Sequence, residues 1–267
     1  MIVRSLLPKL CLCLVTAFPA LSHEFWIEPH KFQVEPGEDV IADLRNGQIF
    51  KGSALAFFDR RIERFDLVSD DRTVPVAGRM GDIPALATPV QDQGLLVLVH
   101  QTAPSTLKYN TWEKFQKFAD HKDFPDIRTR HLARDLPLEG FTESYSRYAK
   151  ALVGVGHAKG SDAPTGMETE FVALTNPYTD DLSDGFQAQL LYQGRPRGDA
   201  QVEVFERAPD DTVTVTLLRT DADGQVSVPV QPDHDYLIDA VILRPMPEGD
   251  ASVWESLWAA FTFGVPD

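Results

Sequence analysis

The sequence predicts a mainly β protein, with two immunoglobulin-like β-sandwich domains and a helical insertion between them. Short runs of alternating apolar and polar residues fill both ends of the chain, and turn residues separate them. Between residues 110 and 165 the apolar spacing becomes that of helices. We therefore predict an N-terminal sandwich at residues 23–109, a helical segment at 110–165 and a C-terminal sandwich at 166–267.

The N-terminal domain is expected to contain strands in DVIADLRNG, SALAFFDRRIERFDLV and GLLVLVHQ. Pro36-Gly37, Asn46-Gly47 and Gly94 mark the turns between them. The C-terminal domain is expected to contain strands in FQAQLLY, AQVEVFE, TVTVTLLRT, QVSVPV, DYLIDAVIL and SLWAAFTFGV. Turns in QGRP, DADG and QPDHD separate these C-terminal runs.

The middle segment predicts three helices, in TWEKFQKFADHK, DIRTRHLARDL and TESYSRYAKALVG. Asn110 and Glu113 have the spacing of a capping box before the first helix. In the third, Glu143 and Arg147 lie four residues apart, so both face one side of a helix and can form an ion pair. That pair is either a surface interaction or a means of orienting a ligand in the cleft between the domains.

Residues 1–22 have the pattern of a secretory signal. Arg4 and Lys9 give a basic start, Leu10–Phe18 is apolar, and Ala20 and Ser22 are small residues before a cleavage point. The apolar run is well short of the roughly 20 residues that a membrane span needs. We predict cleavage after Ser22, a periplasmic mature chain beginning at His23, and no membrane span in that mature chain.

Composition excludes several classes of function. Cys11 and Cys13 both lie in the predicted signal, which leaves the mature chain without a disulfide or a thiolate ligand. The formal charge of −15 argues against nucleic-acid binding, which depends on clustered Lys and Arg. The sequence has no HExxH, no GxSxG and no phosphate-binding glycine loop, so we predict no enzyme and no catalytic residue.

Cleavage before His23 would create a candidate metal site. The new α-amine and the imidazole of His23 offer two nitrogen ligands on one residue, and a further histidine would complete a site for copper or nickel. His100, at the end of LLVLVH, is the preferred partner, with a core or rim histidine as its other interpretation. His131 lies among arginines, and His157 and His234 fall in predicted loops, so these three are weaker candidates.

Five ordered blocks carry a family resemblance: HEFWIEP, ESYSRYAKAL, ETEFVALTNPY, LLYQGRPRGDAQVEV followed by TDADGQVSVPV, and WESLWAAFTF. The chain resembles a bacterial family of exported proteins, a domain of unknown function described as a nickel-uptake substrate-specific component. The C-terminal half also resembles the carboxypeptidase-regulatory-like β-sandwich, a non-catalytic module. One departure is that LIDAVIL has no histidine, whereas relatives often carry one in this late strand.

The resemblance implies a periplasmic role in the uptake of nickel or cobalt. The matching residues are His23, Trp26, Glu28, Glu143, Tyr145, Arg147, Lys150, Asn176, Pro177, Trp254, Ser256 and Trp258. The leading hypothesis is a non-enzymatic binding protein that holds nickel, cobalt or copper through His23 and His100. Its partners would be the metal ion and an envelope metal transporter or outer-membrane receptor. The alternatives are a non-catalytic interaction module of a cell-envelope transport system and a copper-dependent oxidative enzyme.

Overall fold

A computed structural model describes residues 23–70 and 72–267, so the predicted signal peptide lies outside the described residues. The first half of the chain forms β1 (Glu24–Pro29), β2 (Gln33–Val34), β3 (Asp39–Gln48), β4 (Lys51–Leu55), β5 (Ile62–Ser69), β6 (Arg72–Pro75), β7 (Leu86–Pro89), β8 (Gly94–Thr102) and β9 (Ser105–Tyr109). Helices α1 (Trp112–His121) and α2 (Ile127–Leu132) follow. The chain continues with β10 (Phe141–Val155), β11 (Thr169–Ala173), β12 (Phe186–Tyr192), β13 (Arg195–Pro196), β14 (Gln201–Arg207), β15 (Val213–Arg219), β16 (Gln225–Val228), β17 (Asp235–Pro245) and β18 (Trp254–Gly264).

The strands form three sheets in the described part of the chain. The largest has ten strands, in the order β15-β14-β17-β18-β10-β8-β5-β6, and β2 and β9 also pair with β10. One four-stranded sheet contains β1, β3, β4 and β7, and the other contains β11, β12, β13 and β16. The mainly β, sandwich-type fold is therefore confirmed. The division into two domains stays a prediction, and the ten-stranded sheet takes strands from all three predicted ranges.

Each small sheet covers one face of the ten-stranded sheet. On the first face, Ile27 and Leu44 of the β1-β3-β4 sheet share a core with Ala151 of β10. On the opposite face, Phe171 and Phe186 of the β11-β12 sheet share a core with β10 and β18. Both contacts remove apolar side chains from water, which is the main favourable contribution to folding.

The two helices pack on the first face as well, beyond the edge of the β1-β3-β4 sheet. Phe115 and Phe118 of α1 join a third apolar cluster with Trp254 and Trp258 of β18. Lys122, just after α1, ties the helix to the sheet through buried ion pairs with Glu203 at 2.6 Å and Asp239 at 2.9 Å. A belt of polar and charged residues therefore separates two apolar clusters on this face.

Strand β10 corrects the prediction of a third helix in TESYSRYAKALVG. The segment pairs in parallel with β18 over residues 143–151 and antiparallel with β8 and β9. Its side chains alternate, since Ala149, Ala151 and Val153 enter one core and Tyr148 and Leu152 enter the other. The helical spacing of its aromatic residues was outweighed by long-range pairing on both sides of the strand.

The other predicted elements are largely confirmed. The strands predicted in both β regions are present, and FQAQLLY is β12. Helices occupy parts of TWEKFQKFADHK and DIRTRHLARDL. The capping box is wrong, because the N-cap of α1 is Thr111 and its side chain makes no capping hydrogen bond. No helix in the described residues is long and apolar enough to cross a membrane.

The turn predicted at Asn46-Gly47 lies three residues further on. Ile49 and Phe50 occupy the tip of the β3-β4 hairpin, with φ of 53° and 55°. Non-glycine residues rarely adopt positive φ, and here the buried Phe50 ring packs against Trp26 at 5.6 Å. Packing of one aromatic side chain has therefore fixed the position of the turn.

Candidate functional site

A cavity of about 610 Å³ lies on the first face of the ten-stranded sheet, between the β1-β3-β4 sheet and helix α1. It forms where β8 and β9 diverge along β10. Strand β9 pairs with residues 141–145 of β10 and β8 with residues 152–155, so neither covers residues 146–151 on that side. The side chain of Thr102 compensates in part, since its Oγ1 accepts the backbone N–H of Arg147 at 3.0 Å.

The two preferred metal ligands, His23 and His100, line this cavity, and so do the residues of the predicted ion pair, Glu143 and Arg147. His23 is exposed at the rim, directly before β1, and His100 is buried at the end of β8. Phe25, two residues after His23 and also in the wall, lies 5.1 Å from the His100 ring. Extended geometry explains this arrangement, because residues two apart on a strand share a face. The structure thus brings together two histidines separated by 77 positions in the sequence.

His100 has an unusual environment for a polar side chain. It is 1% exposed, and its ring contacts Phe25 and Phe65, each at 5.1 Å between ring centroids. Neither ring nitrogen has a hydrogen-bond partner among the described residues. Burial lowers the pKa of His100 to about 3, because the apolar surroundings disfavour the charged imidazolium. The imidazole is therefore neutral at physiological pH and carries a free lone pair.

Arg147 is the cation of the cavity. Its guanidinium stands 3.9 Å above the ring of Trp258 and 5.3 Å from that of Tyr145, positions that permit cation–π attraction. Nη1 is buried, and no described residue accepts a hydrogen bond from it. Burial lowers the pKa of Arg147, although the charges of Asp239, Glu143 and Glu24 act through space in the opposite direction.

Glu143 does not pair with Arg147, which corrects the ion pair expected from helical spacing. Four residues along a strand cover roughly 13 Å, so the two side chains share a face but lie apart. The carboxylate of Glu143 instead accepts hydrogen bonds from the hydroxyls of Tyr109, at 2.7 Å, and Ser256. Burial raises the pKa of Glu143 more strongly than these donors lower it.

The acidic group Glu24 lies behind the cavity, next to His23 in sequence but on the opposite side of β1. It is 3% exposed and accepts a hydrogen bond from the backbone of Ile49 at 3.1 Å. Burial raises its pKa to about 7, while Lys122 opposes that rise. Its charge interacts through space with Lys122, Glu203 and Asp239, which form a buried ion-pair group outside the cavity wall.

The three weaker histidine candidates, and His30 as well, have protein partners. Nδ1 of His157 accepts the backbone N–H of Lys159 at 3.1 Å. His131 is fully buried, and its ring nitrogens contact the indole N–H of Trp254 and the carbonyl of Pro137, both at 2.9 Å. His30 faces Asp43 at 3.3 Å, and His234 lies 2.7 Å from Glu206. These contacts give each ring a structural role and leave His100 as the buried histidine with free nitrogens.

The donor set places a condition on metal binding. The described residues contain no group of three or more His, Cys, Asp or Glu side chains that could hold a metal ion. Two imidazoles in one cavity provide two ligands, and the α-amine of a chain beginning at His23 would provide the third. The residues therefore fit a metal only if the chain is cleaved before His23.

Local sequence patterns do not account for much of the cavity wall. Trp258 and Ser256 reach the cavity because β18 runs parallel to β10, in register Arg147 to Trp258 and Tyr145 to Ser256. Thr102 is the acceptor that covers the gap in the ladder. The family resemblance names Tyr145, Ser256 and Trp258, but no local pattern in the sequence predicts that they meet in one cavity with Thr102.

A family model described as "Domain of unknown function (DUF4198)" matches residues 20–244. The match includes four of the five blocks quoted above, and WESLWAAFTF lies beyond it. The description names neither nickel nor transport, and it does not address the carboxypeptidase-regulatory-like resemblance of the C-terminal half. No curated protein matches the chain.

Among solved structures, the chain is similar to activated alpha-2-macroglobulin of Escherichia coli, at 12% identity and a TM-score of 0.23. The alignment covers 92% of this chain and 20% of that one, so the chain spans about a fifth of that protein's length. A similarity at this level supports no inference about function.

Proposed function

The chain belongs to the DUF4198 family, and from its cavity we propose that the mature protein binds a divalent transition metal, nickel, cobalt or copper. The amine and imidazole of His23 and the imidazole of His100 would be the ligands. One observation carries the proposal: His100, a buried imidazole whose two nitrogens lack partners among the described residues, lines the same cavity as His23. A buried polar group without a partner costs free energy, and a ligand bond would compensate that cost.

The chemistry of His100 suits this role. Metals bind the neutral imidazole, and protons compete for the same lone pair. Because burial holds the pKa of His100 near 3, protons do not compete for it at neutral pH. The α-amine of His23, with a reference pKa of about 7.7–8.0, would then limit binding as the pH falls.

We place the protein in the periplasm as a non-enzymatic component of metal uptake that passes its metal to an envelope transporter or an outer-membrane receptor. The pattern of residues 1–22 supports export, and the family resemblance supports the link to uptake. A concave cavity of about 610 Å³ suits a small guest. A copper-dependent oxidative enzyme that acts on a polymer would need a flat aromatic surface around His23, so the concave shape supports metal binding over that alternative.

The test is calorimetric titration of Ni(II), Co(II) and Cu(II) into the mature chain beginning at His23. A second chain with one alanine before His23 keeps the imidazole but displaces the amine. We expect one-to-one binding that weakens by at least about tenfold in the extended chain, the cost of about 1.4 kcal/mol of lost ligation.

His100→Leu examines the second ligand and keeps the apolar packing, and His30→Ala is the matched control outside the cavity. We expect His100→Leu to abolish one-to-one binding and His30→Ala to leave it unchanged, with the folded state checked by thermal unfolding. Equal affinity of the cleaved and extended chains, or unchanged binding in folded His100→Leu, would refute the proposal.

A further inference from the structure

The cavity is much larger than a bare metal ion requires. Its volume of about 610 Å³ is within the range of roughly 300–1,000 Å³ that holds small organic ligands. Its walls contain the aromatic rings of Phe25, Phe58, Phe118, Tyr145 and Trp258. Such walls suit the carbon skeleton of an organic molecule and supply no ligands to a hydrated ion.

The charge of the lining also disfavours a bare cation. The charged side chains that line the cavity are Arg61, Lys114 and Arg147 against Glu143 alone. Burial raises the pKa of Glu143, which disfavours its negative charge. The lining is thus positive within a chain whose formal charge is −15. A divalent cation entering by itself would meet charges of its own sign.

Arg147 supplies a specific anion contact. Its guanidinium is held against Trp258 at 3.9 Å, and its backbone N–H is fixed by Thr102, so its position is set before a ligand arrives. Nη1 is buried and none of the described residues accepts its hydrogen bond. Guanidinium groups bind carboxylates through two parallel hydrogen bonds, and such charge-assisted bonds are among the strongest in proteins.

None of the carboxylates near Arg147 accepts a hydrogen bond from its Nη1. Glu143 accepts from Tyr109 and Ser256, and Glu24 accepts from the backbone of Ile49. Lys122 binds Oδ1 of Asp239 at 2.9 Å, and Oδ2 of Asp239 has no partner among the described residues, although its charge acts on Arg147 through space. A ligand carboxylate in the cavity would give Nη1 the acceptor that these groups do not supply.

We propose that the cavity binds its metal as a complex with a small organic polycarboxylate, whose free carboxylate pairs with Arg147 while His23 and His100 hold the metal. This inference rests on the proposed function and names the form in which the metal arrives. The polycarboxylate offsets the charge of the metal, fills the aromatic part of the cavity and gives Nη1 of Arg147 its acceptor. The pairing forms no covalent bond.

The experiment compares three titrants with the mature chain: Ni(II) alone, citrate alone and the one-to-one Ni(II)–citrate complex. We expect the complex to bind at least about tenfold more tightly than either component, because both sets of contacts then form together. Arg147→Met should remove this advantage and leave the affinity for Ni(II) alone equal or higher, since a like charge has been deleted.

Arg128→Met is the matched control, because Arg128 also lies over a tryptophan ring, that of Trp112 at 5.5 Å, but outside the cavity. Arg147→Lys keeps the charge without the forked geometry and should retain only part of the advantage. It also replaces Arg147→Met if thermal unfolding shows that the methionine variant does not fold.

The outcomes separate this inference from the proposed function. If Ni(II) alone binds as tightly as its citrate complex and folded Arg147 variants behave like wild type, the metal site stands and the polycarboxylate inference is overturned. If citrate binds through Arg147 equally well with and without Ni(II), and an extra residue before His23 has no effect, then the proposed metal site and the inference that rests on it are both overturned.

Discussion

Two buried cations lie three residues apart on strand β10 and have opposite surroundings. Lys150 faces the core under the β11-β12 sheet, where its Nζ contacts both oxygens of Asp162 at 2.7 Å, the carbonyl of Ala163 and Glu170 at 3.5 Å. Arg147 faces the cavity, and its buried Nη1 has no described acceptor. The same strand therefore carries one cation satisfied by the protein itself and another that is left for a ligand.

This contrast distinguishes a structural charge from a binding charge. Burial of an ion costs several kcal/mol unless partners compensate, so a fold that retains an incompletely paired cation does so at a cost to stability. Lys150, at 1% exposure, has its compensation within three neighbouring groups. Arg147 relies on two aromatic faces and on distant carboxylates. Substitutions at the two positions should therefore differ in stability and in binding.

The largest expected effect is on Lys150. Lys150→Met leaves Asp162 and Glu170 buried without their cation, and breaking such a pair from one side costs about 3–5 kcal/mol. Urea denaturation at neutral pH measures the loss. Lys159→Met, at an exposed position nearby, is the control and should change the free energy of unfolding by less than about 0.5 kcal/mol.

Arg147→Met provides the other half of this comparison. It loses cation–π contacts of about 0.5–2 kcal/mol but removes a buried charge whose Nη1 has no described acceptor, so its net effect should be much smaller than that of Lys150→Met. A loss as large as that at Lys150 would show that Arg147 is a structural cation and would contradict the contrast.

The second effect concerns the hydroxyl that holds Glu143. Tyr109→Phe removes the donor at 2.7 Å and should cost about 1.5–3 kcal/mol at pH values where Glu143 is ionised, as for other hydrogen bonds to charged groups. Its pH dependence has a definite sign. Burial already raises the folded pKa of Glu143 above its ordinary value of 4.5, and loss of a donor raises that pKa further.

The unfolded chain is unchanged in this respect, so the variant should lose stability relative to wild type only as the pH rises through the folded pKa of Glu143 in wild type, which lies above 4.5. At lower pH, where Glu143 is protonated in both proteins, the difference should shrink. Urea denaturation between about pH 4 and pH 8 follows this difference. Tyr145→Phe, also in the cavity wall, is the control, and a pH-independent difference at Tyr109 would contradict this account.

The sequence predicted elements well where the local signal agreed with the fold. FQAQLLY alternates and became β12, and the apolar face of TWEKFQKFADHK became the buried face of α1. It failed for β10, since Tyr145, Tyr148 and Leu152 have helical spacing and the deciding pairs with β18 lie more than 100 residues away. Long-range pairing leaves no trace in a short window.

The candidate site shows the same difference between residues that a local pattern identifies and residues that only long-range pairing brings in. His23 and His100 could be named from the sequence because each ends a local pattern, a signal and an apolar strand. Glu143 and Arg147 were named for a helical pairing that does not exist, yet they share a face because positions four apart also coincide on a strand. The partners Tyr109 and Thr102 could not be found, since Tyr109 reaches Glu143 through the pairing of β9 with β10 and Thr102 reaches Arg147 where β8 leaves β10.

The smallest expected effect concerns Thr102, next to the part of β10 that neither β8 nor β9 pairs with. Thr102→Val keeps the shape of the side chain but removes the oxygen that accepts the backbone N–H of Arg147 at 3.0 Å. Loss of one such hydrogen bond should cost about 1 kcal/mol, measured by urea denaturation. Thr106→Val is the control, because Thr106 lies in β9, where ladder pairing with Ser144 holds the backbone without its side chain.

Thr102→Val also tests whether the position of Arg147 matters for binding. If the guanidinium is held in place for a ligand, the variant should weaken binding of the Ni(II)–citrate complex by a few-fold and leave Ni(II) alone unaffected, since loosened positioning costs about 0.5–1.5 kcal/mol on association. Equal weakening of both titrants would mean that Thr102 supports the cavity as a whole. An effect confined to the complex would place Thr102 among the residues that position Arg147, while the Lys150 side of the strand stays unchanged.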